Sequence, residues 1–233
     1  MAKLILFPVP IGSNDPDTSL PPYNREVLNT CHIFIVENIR TARRNLIRMG
    51  YTAPIDDITF FELNEHTSSF DITHYLDPIA QGENIGLMSE AGIPCVADPG
   101  SLITSMAQRN GIEIFPLIGP SSIMLALMAS GFNGQNFTFN GYPPIDEKKR
   151  ATLLHTLEQR IHRDNQTQIF IEAPYRNDKL LQFLASHLQP ITRICVATDI
   201  TLPTQYIRTR LARQWLTDPP QLNKRPTIFL LYK

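Results

Sequence analysis

Five short apolar runs, each the length of one strand, recur through the first half of the chain at residues 4–7, 32–36, 58–61, 84–88 and 112–115. A helix-length segment follows each of them. This alternation constrains the fold more than any other feature, because parallel strands need a crossover between them and the crossovers cover both faces of the sheet. The segments between the runs read as helices at 23–30, 38–50, 70–80 and 102–109, and an apolar helix opens at Ser121 or Ser122 and runs to Ser130. Past Gly131 the pattern changes. An aromatic strand at 137–141 meets Pro143 and Pro144, a long polar helix covers 146–163, and strands are expected near 168–172, 193–197, 205–210 and 227–231. The reading is therefore an α/β protein of two domains, residues 1–117 with a parallel sheet and residues 118–233 richer in strands, with a ligand cleft expected at their join.

Within the first half, the stretch 86–101, GLMSEAGIPCVADPGS, is built to hold something. It leaves an apolar strand, carries two carboxylates (Glu90, Asp98), and is stiffened by Pro94 and Pro99 between Gly92 and Gly100, whose backbones admit close approach. The carboxyl ends of strands in α/β sheets are where ligands bind. The plainer alternative is a tight turn in which Asp98 caps the next helix. Two further turns follow strands in the same way: Pro8-Val9-Pro10-Ile11-Gly12-Ser13 and Gly119-Pro120-Ser121-Ser122. Glu65 and His66 also follow a strand and are candidates to line the same edge.

Charge excludes little and points locally. With 21 Lys and Arg against 22 Asp and Glu, the net charge of -1 gives no global attraction to nucleic acid or anionic lipid. Arg40, Arg43, Arg44 and Arg48 fall at helical spacing, either as a solvated face or as a phosphate-contacting patch. The 3 cysteines are far apart, which argues against a disulfide framework and a zinc site and for a reducing, cytoplasmic setting. No apolar run has the length of a membrane span, and the first residues lack a secretory signal pattern. Phosphate-loop, dinucleotide and nucleophile-elbow motifs are absent.

The order of the motifs is more specific than any one of them. Val9-Pro10-Ile11-Gly12, Glu37-Asn38-Ile39-Arg40-Thr41-Ala42-Arg43, Glu65-His66, Ser89-Glu90-Ala91-Gly92-Ile93-Pro94, Ala97-Asp98-Pro99-Gly100, Gly119-Pro120-Ser121-Ser122 and Glu172-Ala173-Pro174-Tyr175-Arg176 occur in series from about Leu4 to Leu231. In this the chain resembles the tetrapyrrole-methylase superfamily of S-adenosylmethionine-dependent methyltransferases. It looks most like the ribosomal RNA small subunit methyltransferase I branch, which methylates the 2′-oxygen of a cytidine in 16S rRNA.

The resemblance implies a homodimer with S-adenosyl-L-methionine held by Pro10, Gly12, Ser89, Glu90, Ala91, Gly92, Asp98, Gly100, Gly119, Pro120, Ser121 and Ser122. Substrate contacts are expected from Arg40, Arg43, Arg44, Tyr175 and Arg176, and methyl transfer from a sulfonium, an in-line displacement, needs no metal. The candidates for a general base are Glu37, Glu65, His66 and Asp98. The chain departs from the branch pattern between Gly12 and Pro22, has Asn38 where the family carries Asp, and ends at Lys233 without the helical extension many rRNA members have. An acceptor of small-molecule, tetrapyrrole type, or a non-catalytic binding protein that keeps the fold, are the alternatives these departures leave open.

Overall fold

The computed structural model describes residues 1–12, 15–64 and 66–233. The chain divides into two compact units, Met1–Ser121 and Ser122–Lys233. The turn at 117–121 stays with the first unit because its atoms are tied there: the Leu117 amide donates to Leu6, and the buried Asn24 side chain donates to the Ile118 carbonyl.

The first unit is built on strands β1 (Leu4–Phe7), β2 (Ile33–Val36), β3 (Thr59–Glu62), β4 (Ile85–Met88) and β5 (Ile114–Pro116). They form one sheet in the order β3-β2-β4-β1-β5, every pair parallel. Successive side chains of a strand point to opposite faces, and here both faces are buried. On β1, Ile5 and Phe7 join Phe34, Val36 and Leu46 on one side, while Leu4 joins Ile35, Ile85, Leu87 and Ile103 on the other. Gly86 is the exception on β4, and it has to be: a Cβ there would lie 2.5 Å from the Phe34 ring.

Helices α1 (Pro22–Leu28), α2 (Ile39–Arg48) and α5 (Gly100–Arg109) supply the cover, with α3 (Ser69–Ile72) and α4 (Asp77–Ala80) between β3 and β4. The single helix expected at 70–80 is thus two separate turns. Pro78 lacks the N–H a continuous helix would need and sits instead in the first turn of α4, where that donor has no intrahelical partner anyway. The expected helix at 38–50 begins with Asn38 as its cap, the side-chain oxygen accepting from the Thr41 amide.

The second unit carries α6 (Ser122–Ser130), β6 (Phe137–Phe139), α7 (Glu147–Asp164), β7 (Thr167–Ile171), α8 (Asn177–His187), β8 (Arg193–Thr198), β9 (Tyr206–Leu211), α9 (Ala212–Trp215) and β10 (Thr227–Tyr232). Its sheet runs β6-β7-β10-β8-β9, parallel only between β6 and β7 and antiparallel elsewhere. Alternation again splits the core in two. Ile194, Val196, Phe229 and Leu231 pack with Leu154, Leu157, Leu180 and Trp215, while Cys195, Ala197, Ile228 and Leu230 pack with Ala126 and Leu127 of α6. Among the described residues no helix is long and apolar enough to cross a membrane.

Candidate functional site

All five strands of the first unit point the same way, so their carboxyl ends share one edge, and the three glycine-proline turns of β1, β4 and β5 meet there. The central strands β4, β1 and β5 are neighbours. The turn after β1 and the loop after β4 are joined by a two-way bridge, with the Val9 amide donating to Gly92 O at 2.9 Å and the Gly92 amide donating to Val9 O at 3.1 Å.

The turn after β5 closes against both. A Cβ on Gly92, whose φ is +72°, would meet the Pro120 carbonyl at 3.1 Å, and a Cβ on Gly119 would lie 2.1 Å from Pro8. These glycines are therefore required first by the fit of one turn against the next. Ser89, at the tip of β4, is buried and donates to the Gly92 carbonyl at 3.1 Å.

Asp98 is the organiser of the loop after β4. Its two carboxylate oxygens accept from the Cys95 amide at 2.9 and 2.8 Å, and Oδ1 accepts from the Gly100 amide at 2.8 Å. The helix-capping alternative is half right: Asp98 does bond the first amide of α5, and it also folds the preceding loop back on itself. That loop holds Cys95 at φ 69° and Ala97 at φ 62°, left-handed conformations that non-glycine residues adopt at a cost. Burial pushes the Asp98 carboxyl up, and the two backbone bonds work against that shift.

Glu37, at the tip of β2, faces the same loop. Its carboxyl is raised first by burial and then by the negative charges of Asp98 and Glu90, so three carboxylates share one corner of the edge. Among the described residues none of the three is in an ion pair. Glu37 and Asp98 line a small crevice closed by Leu63, Leu87 and Pro94, of about 10 Å³, room for about one water. Pro10, Gly12, Glu90 and Ala91 border a separate, open hollow of about 460 Å³ that α2 also lines, with Thr41, Arg44, Asn45 and Arg48.

The four arginines of α2 do not share one face. Arg40, Arg44 and Arg48 follow an i, i+4, i+8 stripe, and two of them line the hollow. Arg43 is turned toward β3: its Nη1 donates to Asp56 at 3.0 Å and its guanidinium lies 5.8 Å from the centre of the Phe60 ring. A spacing of three or four places residues near each other on a helix but does not make all four coplanar with one groove, and Asp56 takes the odd one.

Of the base candidates, Glu37 and Asp98 are brought together, and Glu65 lies outside the described residues. His66 is exposed in the turn after the edge strand β3, its amide donating to Asn64 Oδ1. Tyr175 and Arg176 belong to the second unit, in the helical turn Pro174–Arg176 before α8. Ser13 lies outside the described residues, and Ser122 begins α6. No group of three or more His, Cys, Asp or Glu among the described residues is placed to hold a metal ion. Sequence reasoning missed Asn24, which anchors the turn after β5; its one signal was an amide in an otherwise inward-facing position of α1.

This architecture, a parallel sheet followed in the chain by a mostly antiparallel one, is shared with solved structures of methyltransferases. Over its full length the chain matches the crystal structure of the methyltransferase CobJ with a TM-score of 0.64 at 19% identity, covering 95% of that chain. It matches uroporphyrin-III C-methyltransferase from Thermus thermophilus with a TM-score of 0.57 at 15% identity, also covering 95% of that chain.

The family model of tetrapyrrole (corrin/porphyrin) methylases matches residues 7–214. The chain belongs to this family and is a methyltransferase of the S-adenosylmethionine-dependent kind. Among curated relatives it is similar to the ribosomal RNA small subunit methyltransferase I of Xylella fastidiosa, with 29% identity over 198 residues, 85% of this chain and 68% of the relative. That of Synechocystis shares 29% over 201 residues, 86% of this chain and 68% of the relative. That of Buchnera aphidicola from Schizaphis graminum shares 26% over 231 residues, 98% of this chain and 77% of the relative.

Proposed function

We propose that the chain binds S-adenosyl-L-methionine along the carboxyl edge of the first sheet and transfers its methyl group to a ribose 2′-oxygen of small-subunit ribosomal RNA, a cytidine of 16S rRNA being the expected acceptor. The observation that carries the reading is the open hollow that Pro10, Gly12, Glu90 and Ala91 line together with Arg44 and Arg48. The loop residues offer backbone groups and the Glu90 carboxylate to a cation, and the α2 residues offer guanidinium groups to phosphate. The curated relatives named for ribosomal RNA favour this acceptor over a tetrapyrrole.

The residues fit the cofactor on chemical grounds. A corner holding Glu37, Glu90 and Asp98 without a paired cation among the described residues carries mutual repulsion that a positively charged ligand relieves. The cofactor supplies a methyl group on a sulfonium sulfur.

What the chain contributes is alignment and a place for a proton. Asp98 is committed to the Cys95 and Gly100 amides, so its part is to hold the loop. Glu37 has no such commitment among the described residues and its carboxyl is raised, which brings its basicity closer to what proton removal at neutral pH requires. Glu37 is the residue we assign to accept the proton as the acceptor oxygen takes the methyl. The stripe Arg40, Arg44 and Arg48 holds the RNA backbone.

Two measurements test this. Calorimetry of the purified chain should show S-adenosylmethionine binding; its absence would remove the cofactor site. Arg40→Glu combined with Arg44→Glu should weaken binding of a single-stranded rRNA fragment and flatten its salt dependence by about 1.4 logarithmic units per tenfold salt, at about 0.7 for each phosphate that is no longer neutralised. An unchanged slope would take the α2 stripe out of the RNA interface.

A further inference from the structure

The second unit has a cavity of its own, of about 600 Å³, between the first turn of α7 and the start of α8. Leu180 and Phe183 line it, with three cations, Arg150, Arg176 and Lys179, against two carboxylates, Glu147 and Glu172, the latter taken up by Arg176. Arg150 is only 8% exposed. It holds the loop before α7 by donating to the Pro144 and Ile145 carbonyls at 2.8 and 3.0 Å, and its guanidinium rests 4.9 Å from the Phe183 ring centre. Arg176 is set by the buried Glu172, 2.5 Å away, and lies 5.1 Å from the centre of the Tyr175 ring.

A purely structural role covers these two arginines, which clamp a loop and a turn. It does not cover what surrounds them. Tyr175 is 65% exposed, its hydroxyl accepting from Arg176 Nη1 at 3.0 Å. Tyr142 is 60% exposed and follows Gly141, whose carbonyl accepts from the Ile171 amide, next to Glu172, at 3.0 Å. Lys179 is exposed and, among the described residues, has no ion-pair partner. Tyr175 steadies Arg176, yet both rings leave most of their apolar surface in water, which the fold itself does not gain from. Aromatic faces next to cations are what unpaired nucleotides use: the base stacks and the phosphate meets the charge.

We infer that Tyr142, Tyr175 and Lys179 form a second RNA-contacting platform, which takes one or two unstacked nucleotides of the same substrate with a backbone phosphate in the cavity toward Arg150 and Arg176. This rests on the reading of the acceptor as RNA and extends it from the first unit to the second. The platform would give the enzyme a hold on the strand that does not use α2 at all. It would also let a chain of nearly neutral net charge bind a polyanion through two local patches.

The test uses the full chain and a short single-stranded rRNA fragment carrying 5-iodouridine. Tyr142→Ala, Tyr175→Ala and Lys179→Glu change exposed groups and leave Arg150, Glu172 and Arg176 in place, so unchanged thermal melting and unchanged cofactor binding are the controls. Each tyrosine variant should weaken RNA binding by about tenfold, the order expected for removal of one stacking partner. Lys179→Glu should flatten the salt dependence by about 0.7, the value for one neutralised phosphate. Photo-crosslinks should map to the peptides that contain Tyr142 or Tyr175.

Binding equal to the parent in all three variants, while Arg40→Glu with Arg44→Glu still weakens it, would overturn the platform and leave the RNA reading standing. Crosslinks confined to α2 would do the same. A parent chain that does not bind RNA at low salt would sink both.

Discussion

The two sheets of this protein contain the same number of strands and bury both faces, yet only one gathers its loops. In the first, every strand runs the same way, so each crossover returns the chain to the opposite edge and the turns after β1, β2, β4 and β5 all open at the carboxyl edge. In the second, β7, β10, β8 and β9 alternate in direction, and their connections are divided between the two ends. Its cavity lies instead over two helices. Parallel pairing concentrates loops, and with them carboxylates and glycines. Antiparallel pairing disperses them and leaves site-building to side chains on a covering helix.

The contrast predicts where a single methyl group does most harm. Gly119→Ala should cost about 3 kcal/mol, at the upper end for an overpacked site, because its Cβ would be driven into Pro8. Gly131→Ala in the second unit meets nothing within 4 Å and carries only the penalty of φ +74°, about 1 kcal/mol. Urea titrations of both variants check this, and equal losses would show that the first unit's turns are no tighter than the second's.

Next in size is Asp98→Ala. It removes the acceptor of two loop amides in a strained loop, so a loss of about 2 kcal/mol is expected, together with cofactor affinity, since the loop borders the proposed site. If stability falls while calorimetric binding of S-adenosylmethionine is unaffected, the loop after β4 is structural only.

The smallest effect has a diagnostic sign. Glu37 and Asp98 both have folded-state values above the ordinary carboxylate ones, so what they add to stability is full below the unfolded values near pH 4 and is lost as pH rises through the folded ones. Glu37→Gln should therefore raise the melting temperature at neutral pH, with the gain shrinking to nothing as pH falls below the carboxylate range, and should depress methyl transfer. A variant that melts earlier at neutral pH would mean that the carboxylate has an attractive partner.

Much of the first unit could be read directly from its residues. Runs such as Leu4–Phe7 and Ile33–Val36 are apolar without alternation, and a strand buried on both faces needs no more to be recognised. The turns were equally legible, since Gly12, Gly92, Pro99 and Gly119 mark where the chain must bend. The helix expected at 70–80 was misjudged because tertiary packing placed Tyr75 and Leu76 in the core through two short turns rather than one helix, with Pro78 marking the break.

Spacing also could not show that Arg43 departs from its neighbours. That depended on Asp56 and Phe60, which come from a later segment and reach α2 only because β3 pairs with β2.

What the sequence determined by itself was local: which stretches are strands, which residues turn, and the ordered motifs that mark a methylase. The tertiary structure alone decided which of those turns touch, through the bridge between Val9 and Gly92, the seat of Gly119 on Pro8 and the charge that Glu37 shares with Asp98 and Glu90. The reason is that strand order is not sequence order. β4 lies between β2 and β1, so residues far apart along the chain become the nearest neighbours at one edge, and their mutual burial and repulsion exist only once the sheet has formed.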